Sequence, residues 1–162
     1  LMLRLLSVCG TAHDDSRLPR LLEVAEAAAA QAGARVERVD LFAIDLPVMR
    51  FGDAEQSHLP QVQRIREAAA QADLFLIGTP EYHGSMSGAL KNWFDFLYEE
   101  LAGKVAAFVA TTGGGGGDMS LVAAKNSFQW CHGFVLPFHA AARERDFADG
   151  QLQSEAIRER LQ

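Results

Sequence analysis

Short apolar runs, separated by segments of helical periodicity, constrain the fold of this chain more than any other feature of its sequence. Four such runs cover residues 3–8, 73–79, 104–111 and 133–138, and the first ends abruptly at Cys9-Gly10. Runs of this length are typical of strands that are buried on both faces of a parallel sheet. Residues 35–41 instead alternate apolar and charged side chains, which predicts a less covered strand at a sheet edge.

The segments between these runs carry apolar residues at the spacing of helices. The first predicted helix begins near Ser16 and ends at Gly33, a residue type that is common at helix C-termini. Residues 42–60 contain two prolines and a glycine and show no periodicity, so they predict a long loop. The other predicted helices are one through Val62, Ile65 and Ala69, one over residues 86–97, one from an N-cap at Asp118 to Phe128, and one from an N-cap at Ser154 to Leu161.

Five strands that alternate with five helices predict an α/β fold with a parallel sheet and helices on both of its faces. A doubly wound sheet with strand order 2-1-3-4-5 is the natural arrangement. The 162 residues, 49% of them apolar, suit one core, which predicts a single domain over residues 1–162. Ligands of such sheets bind beyond the carboxyl ends of the strands, where the strand order reverses. The loops after strands 1, 3 and 4 are therefore the candidate functional loops.

Charge and cysteine content exclude several classes of protein. The net charge is −6 at pH 7 and no run of lysine and arginine forms a basic stripe, so no nucleic-acid partner is expected. Cys9 and Cys131 lie far apart without metal-ligand spacing, which predicts reduced core thiols and no metal site. No apolar stretch reaches the length of a membrane span, about 18 residues, and the first run lacks a signal-peptide pattern. We therefore expect a cytoplasmic protein with no membrane span.

The first candidate loop leads from strand 1 into a helix N-terminus, where free N–H groups and the helix dipole favour a phosphate. Its sequence is Gly10-Thr11-Ala12-His13-Asp14-Asp15-Ser16-Arg17. Thr11 and Ser16 offer hydroxyl groups, and His13 or Arg17 offers positive charge. The alternative is that Ser16 or Asp15 simply caps the helix, and the two aspartates would have to point away from an anion.

The loops after strands 3 and 4 contain residues that suit a flat ligand. Their sequences are Thr79-Pro80-Glu81-Tyr82-His83-Gly84-Ser85 and Thr111-Thr112-Gly113 through Gly117-Asp118. Gly84 permits a close approach of the main chain to a ring, and Tyr82 supplies an aromatic side chain with a polar tip. The five glycines after strand 4 form either a flexible surface turn or a backbone that approaches the same ring.

Residues 79–92, Thr-Pro-Glu-Tyr-His-Gly-Ser-Met-Ser-Gly-Ala-Leu-Lys-Asn, resemble the signature of the NADPH-dependent FMN reductase family. This family includes quinone, azo-dye and chromate reductases and has a flavodoxin-like fold, and the resemblance extends from strand 1 to the loop after strand 4. It implies FMN as cofactor and NADPH or NADH as cosubstrate. Hydride is then expected to pass from nicotinamide to flavin N5, and the electrons to pass on to a small-molecule quinone, azo or metal-oxyanion acceptor.

The resemblance also assigns cofactor-binding residues, and no catalytic side chain. The family's first loop, Gly-Ser-x-Arg-x-x-Ser, binds the FMN phosphate; here Thr11 replaces the serine, His13 replaces the arginine, and Ser16 is in place. A mostly neutral imidazole cannot make the forked contact of a guanidinium, so weaker phosphate binding is expected unless Arg17 supplies the charge. The residues expected to border the flavin ring are Pro80, Glu81, Tyr82, His83 and Gly84 on one side and Thr111, Thr112 and Gly113 on the other.

Two alternatives to this enzyme remain open from the sequence: an electron carrier or flavin-binding module that does not itself oxidise NAD(P)H, and a flavin-free regulatory domain. The state of assembly is also open. Phe96 and Tyr98 lie off the predicted sheet-facing side of helix 86–97, either at a subunit contact or beneath the 42–60 loop. Family members are commonly dimers or tetramers, so the resemblance favours a homodimer or homotetramer.

Overall fold

The structure is a computed structural model that describes residues 2–11, 13 and 17–162. Its main strands are β1 (Arg4–Cys9), β2 (Arg35–Asp40), β3 (Leu74–Pro80), β4 (Val105–Thr112) and β5 (Phe134–Arg143). They form one sheet with the order β2-β1-β3-β4-β5, and every neighbouring pair is parallel. The predicted doubly wound, flavodoxin-like arrangement is therefore confirmed.

Helices connect these strands across both faces of the sheet. In the described part of the chain they are α1 (Leu18–Gln31), α2 (Leu41–Ile44), α3 (Pro60–Gln71), α4 (Gly88–Asp95), α5 (Asp118–Trp130) and α6 (Glu155–Leu161). Short 3-10 turns cover Ala54–His58, Glu99–Leu101 and Glu144–Asp146, and a small hairpin pairs β6 (Phe147–Ala148) with β7 (Gln151–Leu152). No described helix is both long enough and apolar enough to cross a membrane.

A separate apolar cluster covers each face of the sheet. On the side of α3, α4 and α5, the ring of Phe75 lies 6.3 Å from that of Trp93 and 5.4 Å from that of Phe128, both edge to face. On the other side, Leu18 and Leu22 of α1 belong to a cluster that also contains Leu76 of β3 and receives α6. Because the central strands are covered on both faces, successive positions along them are apolar.

Some element boundaries differ from the sequence prediction. The predicted loop 42–60 contains most of α2 and a 3-10 turn, and β5 continues to Arg143, beyond the predicted end at Phe138. Gly117, in the left-handed region at φ +79, is the N-cap of α5, whereas Asp118 was predicted and is the first helical residue. The N-cap of α1 is Arg17, which makes no side-chain capping hydrogen bond, whereas Ser16 or Asp15 was the predicted cap. Ser16 and Asp15 lie outside the described residues.

Two side-chain amides hold the segment between β2 and α3 in place. Asn92 of α4 accepts a hydrogen bond from the N–H of Met49 (2.9 Å) and donates one to the carbonyl of Pro47 (2.8 Å). Buried Gln56 accepts a hydrogen bond from the N–H of Arg50 (2.7 Å). These contacts satisfy backbone groups that have no strand or helix partner. A segment without periodicity is thus fixed against α4 beside the carboxyl end of the sheet.

Both cysteines are free and buried, as the sequence predicts. Burial raises the pKa of the Cys9 thiol to about 11 and raises the pKa of the Cys131 thiol as well. Both side chains are therefore protonated core thiols at neutral pH.

His139 of β5 lies among charged groups from α5 and α6. The Lys125 ammonium lies 3.1 Å from its Nδ1, Asp118 Oδ1 lies 3.8 Å from its Nε2, and Arg160 donates a hydrogen bond to its carbonyl oxygen. Partial burial, and then the positive charges of Lys125 and Arg160, lower the pKa of His139, and the Asp118 carboxylate opposes them. Folding therefore disfavours the imidazolium form.

We expect this histidine to make the protein less stable in mild acid. Because the pKa of His139 is lower in the folded chain than in the unfolded chain, the unfolded chain binds more protons as the pH falls through the ordinary histidine pKa of about 6.5. The His139→Gln variant should lose less unfolding free energy than the wild type between pH 7.5 and 5.5, and Lys125→Met should show an intermediate loss. Urea unfolding at a series of pH values measures this. Superimposable profiles for all three proteins would contradict the expectation.

Candidate cofactor-binding site

An open pocket with a cavity volume of about 140 Å³ lies at the carboxyl ends of the strands. Eleven residues line it: His13 and Arg17 before α1; Pro80, Glu81 and Tyr82 after β3; Thr111, Thr112 and Gly113 at the end of β4; and Ala142, Arg143 and Glu144 at the end of β5. The three candidate loops therefore meet around one space.

Not every predicted site residue lines this pocket. Thr11 lines a neighbouring pocket together with Asp45 and Asn92, while His83 and Gly84 form the tip of the loop after β3. The Thr11 hydroxyl donates a hydrogen bond to the carbonyl of His13 (2.7 Å) and accepts one from its N–H (3.3 Å), so it braces the first loop. Ser16 lies outside the described residues.

The end of β5 also contributes to this pocket, which was not predicted from the sequence. Thr111 and Thr112 of β4 lie opposite Ala142 and Arg143, which brings the end of β5 and Glu144 to the pocket. The register between β4 and β5 shifts near Ala106, so that β5 carries extra residues there. The alternation expected of a regular strand is lost at this point. Continuing the predicted strand through the alanines that follow His139 would have located these residues.

The loop after β3 is a tight two-residue hairpin turn. Tyr82 and Ser85 exchange two backbone hydrogen bonds of 3.0 Å, and the residues between them, His83 and Gly84, have φ values of +50° and +69°. Two successive positive φ values are typical of a type I′ turn, which favours glycine and asparagine. The backbone conformation therefore requires Gly84, and His83 is held in the left-handed region at a cost of about 1–2 kcal/mol.

The Glu81 carboxylate joins this hairpin to the loop after β4. Its Oε1 accepts a hydrogen bond from the Thr112 hydroxyl (3.3 Å) and its Oε2 accepts one from the N–H of Ser120 in the first turn of α5 (3.2 Å). A carboxylate at this position also interacts favourably with the helix dipole. A Cβ at position 115 would lie 2.5 Å from Glu81 Oε1, so a side chain there would displace the carboxylate from this position. Glu81 thus fixes two walls of the site relative to each other.

The buried hydroxyl of Ser87 fixes the start of the loop after β1. Ser87, 0% exposed, donates a hydrogen bond to the carbonyl of Gly10 (2.6 Å) and accepts one from the N–H of Leu90 (3.1 Å), where it caps α4. The N–H of Ser87 donates to the Thr79 hydroxyl (3.0 Å). Ser87 therefore ties the ends of β1 and β3 to the start of α4, a role that proline at this position could not fill.

Charged side chains of both signs line the pocket. The basic ones are His13, Arg17 and Arg143, and the acidic ones are Glu81, which is held by Thr112 and Ser120, and Glu144, which accepts a hydrogen bond of 2.9 Å from Arg17. The basic side chains of the first loop can contact the anionic end of a ligand. At the other wall, a Cβ at Gly113 would meet no atom within 4 Å, so the backbone there is open to a flat group. The residues present therefore fit a phosphorylated molecule with a planar ring.

Removal of the Glu81 carboxylate should lower the stability of the protein, because this carboxylate connects the loops after β3 and β4. Glu81→Ala leaves the Ser120 N–H and the Thr112 hydroxyl without their acceptor, and we expect a loss of about 1–2 kcal/mol of unfolding free energy. Glu81→Gln keeps an acceptor oxygen and should lose about half as much. Urea unfolding measures both losses. The control is Glu67→Ala on the exposed side of α3, which should change stability by less than about 0.5 kcal/mol; equal effects of the Glu81→Ala and Glu67→Ala variants would contradict the role given to Glu81.

Known reductases are similar to this chain in sequence. An NADPH azoreductase from Bacillus sp. (strain OY1-2) is 34% identical over 122 residues, which cover 74% of this chain and 68% of that protein. A probable NADPH:quinone oxidoreductase 1 from Oryza sativa subsp. japonica is 33% identical over 124 residues, covering 74% and 63%. The chain thus spans about two thirds of the length of these two curated relatives.

A solved structure shows the same fold over nearly the whole chain. The flavoenzyme NAD(P)H:(acceptor) oxidoreductase FerB from Paracoccus denitrificans superposes with a TM-score of 0.79 at 24% identity, covering 99% of this chain and 91% of that one. The family model described as NADPH-dependent FMN reductase matches residues 3–147, which include every loop of the pocket. The chain therefore belongs to the NADPH-dependent FMN reductase family.

Proposed function

We propose that this protein is an FMN-dependent NAD(P)H oxidoreductase that passes electrons to a small-molecule acceptor of the quinone, azo or metal-oxyanion class. The observation that carries the proposal is the convergence of the three candidate loops on one pocket with a basic side and an open glycine backbone. When bound, FMN supplies a ring that accepts hydride from nicotinamide and returns the electrons to a second substrate.

The first loop would hold the phosphate end of FMN. His13 and Arg17 line the pocket directly before α1, whose N-terminus favours an anion. Thr11 and Ser16 are part of the same proposed phosphate site through the family's loop pattern. With no arginine at position 13, Arg17 is the side chain of this loop that carries a permanent positive charge.

The loops after β3 and β4 would hold the ring of FMN. In the hairpin, the N–H of Glu81 donates to the Thr111 carbonyl and that of Tyr82 donates to the Ser85 carbonyl. Within the described residues, the N–H groups of His83 and Gly84 have no protein acceptor. These two groups are the main-chain donors that the hairpin can offer to the carbonyl and N5 edge of the ring, where donors stabilise the reduced state. Pro80, Tyr82, Thr111, Thr112 and Gly113 would complete the contacts.

The activity is tested by anaerobic mixing of the FMN-loaded protein with NADPH or NADH. We expect the absorbance of oxidised flavin to disappear with at least one nucleotide, and then to return on addition of a quinone, an azo dye or chromate. Steady-state rates should follow ping-pong kinetics because the acceptor enters after the oxidised nicotinamide has left. FMN that stays oxidised until a separate reductase is added would instead identify an electron carrier, and failure to take up FMN would identify a flavin-free domain.

The proposed contact between the hairpin and the FMN ring is tested by a matched pair of glycine variants. Gly84 (φ +69) and Gly103 (φ +74) have similar backbone conformations, but Gly103 precedes β4 at the opposite end of the sheet. Valine at either position should cost about 1–3 kcal/mol of stability through backbone strain. Only Gly84→Val should weaken FMN binding, by about tenfold or more, equivalent to about 1.4 kcal/mol. Urea unfolding and titration of FMN fluorescence measure the two effects; equal FMN affinities would contradict the hairpin contact.

We also propose that the protein is a homo-oligomer assembled through the groove between α4 and α5. Phe51 and Trp130 line this groove and are 100% and 81% exposed, and Tyr98 beside them is half-exposed. Exposed aromatic side chains that are gathered in one groove with a polar rim are typical of interaction sites. The Lys91–Asp95 ion pair on the same wall gives both signs of charge, which suits a two-fold contact with a second copy. Phe96, in contrast, packs against the core.

Trp130→Glu should shift the protein to a smaller mass, because a carboxylate cannot be buried in this contact without a partner. Sedimentation velocity measures the mass. Phe138→Glu, at an aromatic residue of β5 that is 70% exposed, is the control and should leave the mass unchanged. A wild-type monomer at all concentrations would contradict the proposed assembly.

A further inference from the structure

We propose that Glu144 sets the affinity of this chain for FMN by competing with the FMN phosphate for the Arg17 guanidinium. The inference rests on the proposed function, since it concerns the same pocket. It assigns a role to a carboxylate that lies outside the three candidate loops.

The contact crosses the pocket between distant parts of the chain. Arg17 Nη2 lies 2.9 Å from Glu144 Oε1, and the two residues are 127 positions apart in sequence. Arg17 is the last residue before α1, and Glu144 begins the 3-10 turn after β5. Both residues line the pocket. The ion pair therefore connects the proposed phosphate loop with the opposite wall of the pocket.

The backbone on both sides of the ion pair is fixed. The carbonyl of Arg17 accepts hydrogen bonds from the N–H groups of Arg20 (3.1 Å) and Leu21 (3.2 Å). The turn that carries Glu144 is braced by Asp146, whose carboxylate accepts a hydrogen bond from the N–H of Arg143 (2.7 Å). The two side chains, in contrast, are 49% and 76% exposed. The guanidinium can therefore change partners by side-chain rotation alone.

The local sequence makes the guanidinium important for an anion. His13 cannot supply a permanent forked donor. Pro19, the second residue of α1, has no N–H, so the helix N-terminus offers one donor fewer than usual. The charge of Arg17 compensates for both deficits only when Glu144 releases it.

The exchange of partners favours the phosphate. An exposed ion pair between single charges is weak, whereas a guanidinium binds a phosphate dianion through two charge-assisted hydrogen bonds. The Glu144 carboxylate opposes this exchange in two ways, because it holds Arg17 and because it repels the phosphate. Its removal should consequently strengthen FMN binding, whereas removal of most other pocket residues would weaken it.

The test measures the dissociation constant of FMN by fluorescence quenching on cofactor-free protein. Glu144→Gln should bind FMN about three- to tenfold more tightly than the wild type. Arg17→Gln should bind it about tenfold more weakly, and adding Glu144→Gln to Arg17→Gln should recover less than half of the gain seen in the wild type. Riboflavin, which lacks the phosphate, should bind all these variants equally.

Glu155→Gln is the matched control. It removes a carboxylate of similar exposure, 73%, that lies 3.9 Å from Arg158 on α6, and it should leave the FMN dissociation constant unchanged. If the wild type binds FMN but Glu144→Gln does not bind it more tightly, or if riboflavin gains equally, the competition is overturned. If the wild type takes up no FMN at all, the proposed function itself fails.

Discussion

The close approach of β1 to β3 at Gly10 and Gly78 is the constraint on which the rest of the site depends. The N–H of Gly10 donates a hydrogen bond of 2.9 Å to the carbonyl of Gly78, and a Cβ on Gly10 would lie 2.7 Å from that oxygen. A Cβ on Gly78 would lie 2.9 Å from Leu18 of α1. Glycine at both positions allows α1 and α4 to pack tightly on either side of the crevice where the strand order reverses.

Hydrogen bonds between protein groups hold the walls of the pocket in position. Ser87 ties α4 to the end of β1, and Glu81 ties the hairpin after β3 to the start of α5. Within the part of the chain that the structure describes, the main-chain N–H groups of His83 and Gly84 have no protein acceptor. A site that is already ordered before binding loses little conformational entropy when a ligand enters.

The elements that depend on local pattern could be predicted from the sequence. The apolar runs of β1, β3 and β4 predicted buried strands because both sheet faces are covered there. The run at residues 133–138 does not follow this rule, since β5 is an edge strand and Phe134, Leu136 and Phe138 are exposed. The loop compositions predicted the three candidate loops, which meet at one pocket. The end of β5 was not predictable in the same way, since the register shift near Ala106 interrupts the alternation on which a strand prediction relies. The partners of Glu81, and the contact between Arg17 and Glu144, join residues that only the folded sheet brings together. The spacing of residues along the sequence does not predict such pairs.

Helix α5 connects the hairpin after β3 with the exposed aromatic groove. In its first turn, the N–H of Ser120 donates a hydrogen bond to the Glu81 carboxylate. Its last residue, Trp130, lines the exposed aromatic groove. Its 13 residues form a stiff rod of about 20 Å, at about 1.5 Å per residue. A displacement of this helix at the groove would also move the Ser120 N–H that donates to Glu81, so the proposed subunit contact and the proposed ring contact of the hairpin are coupled through one helix.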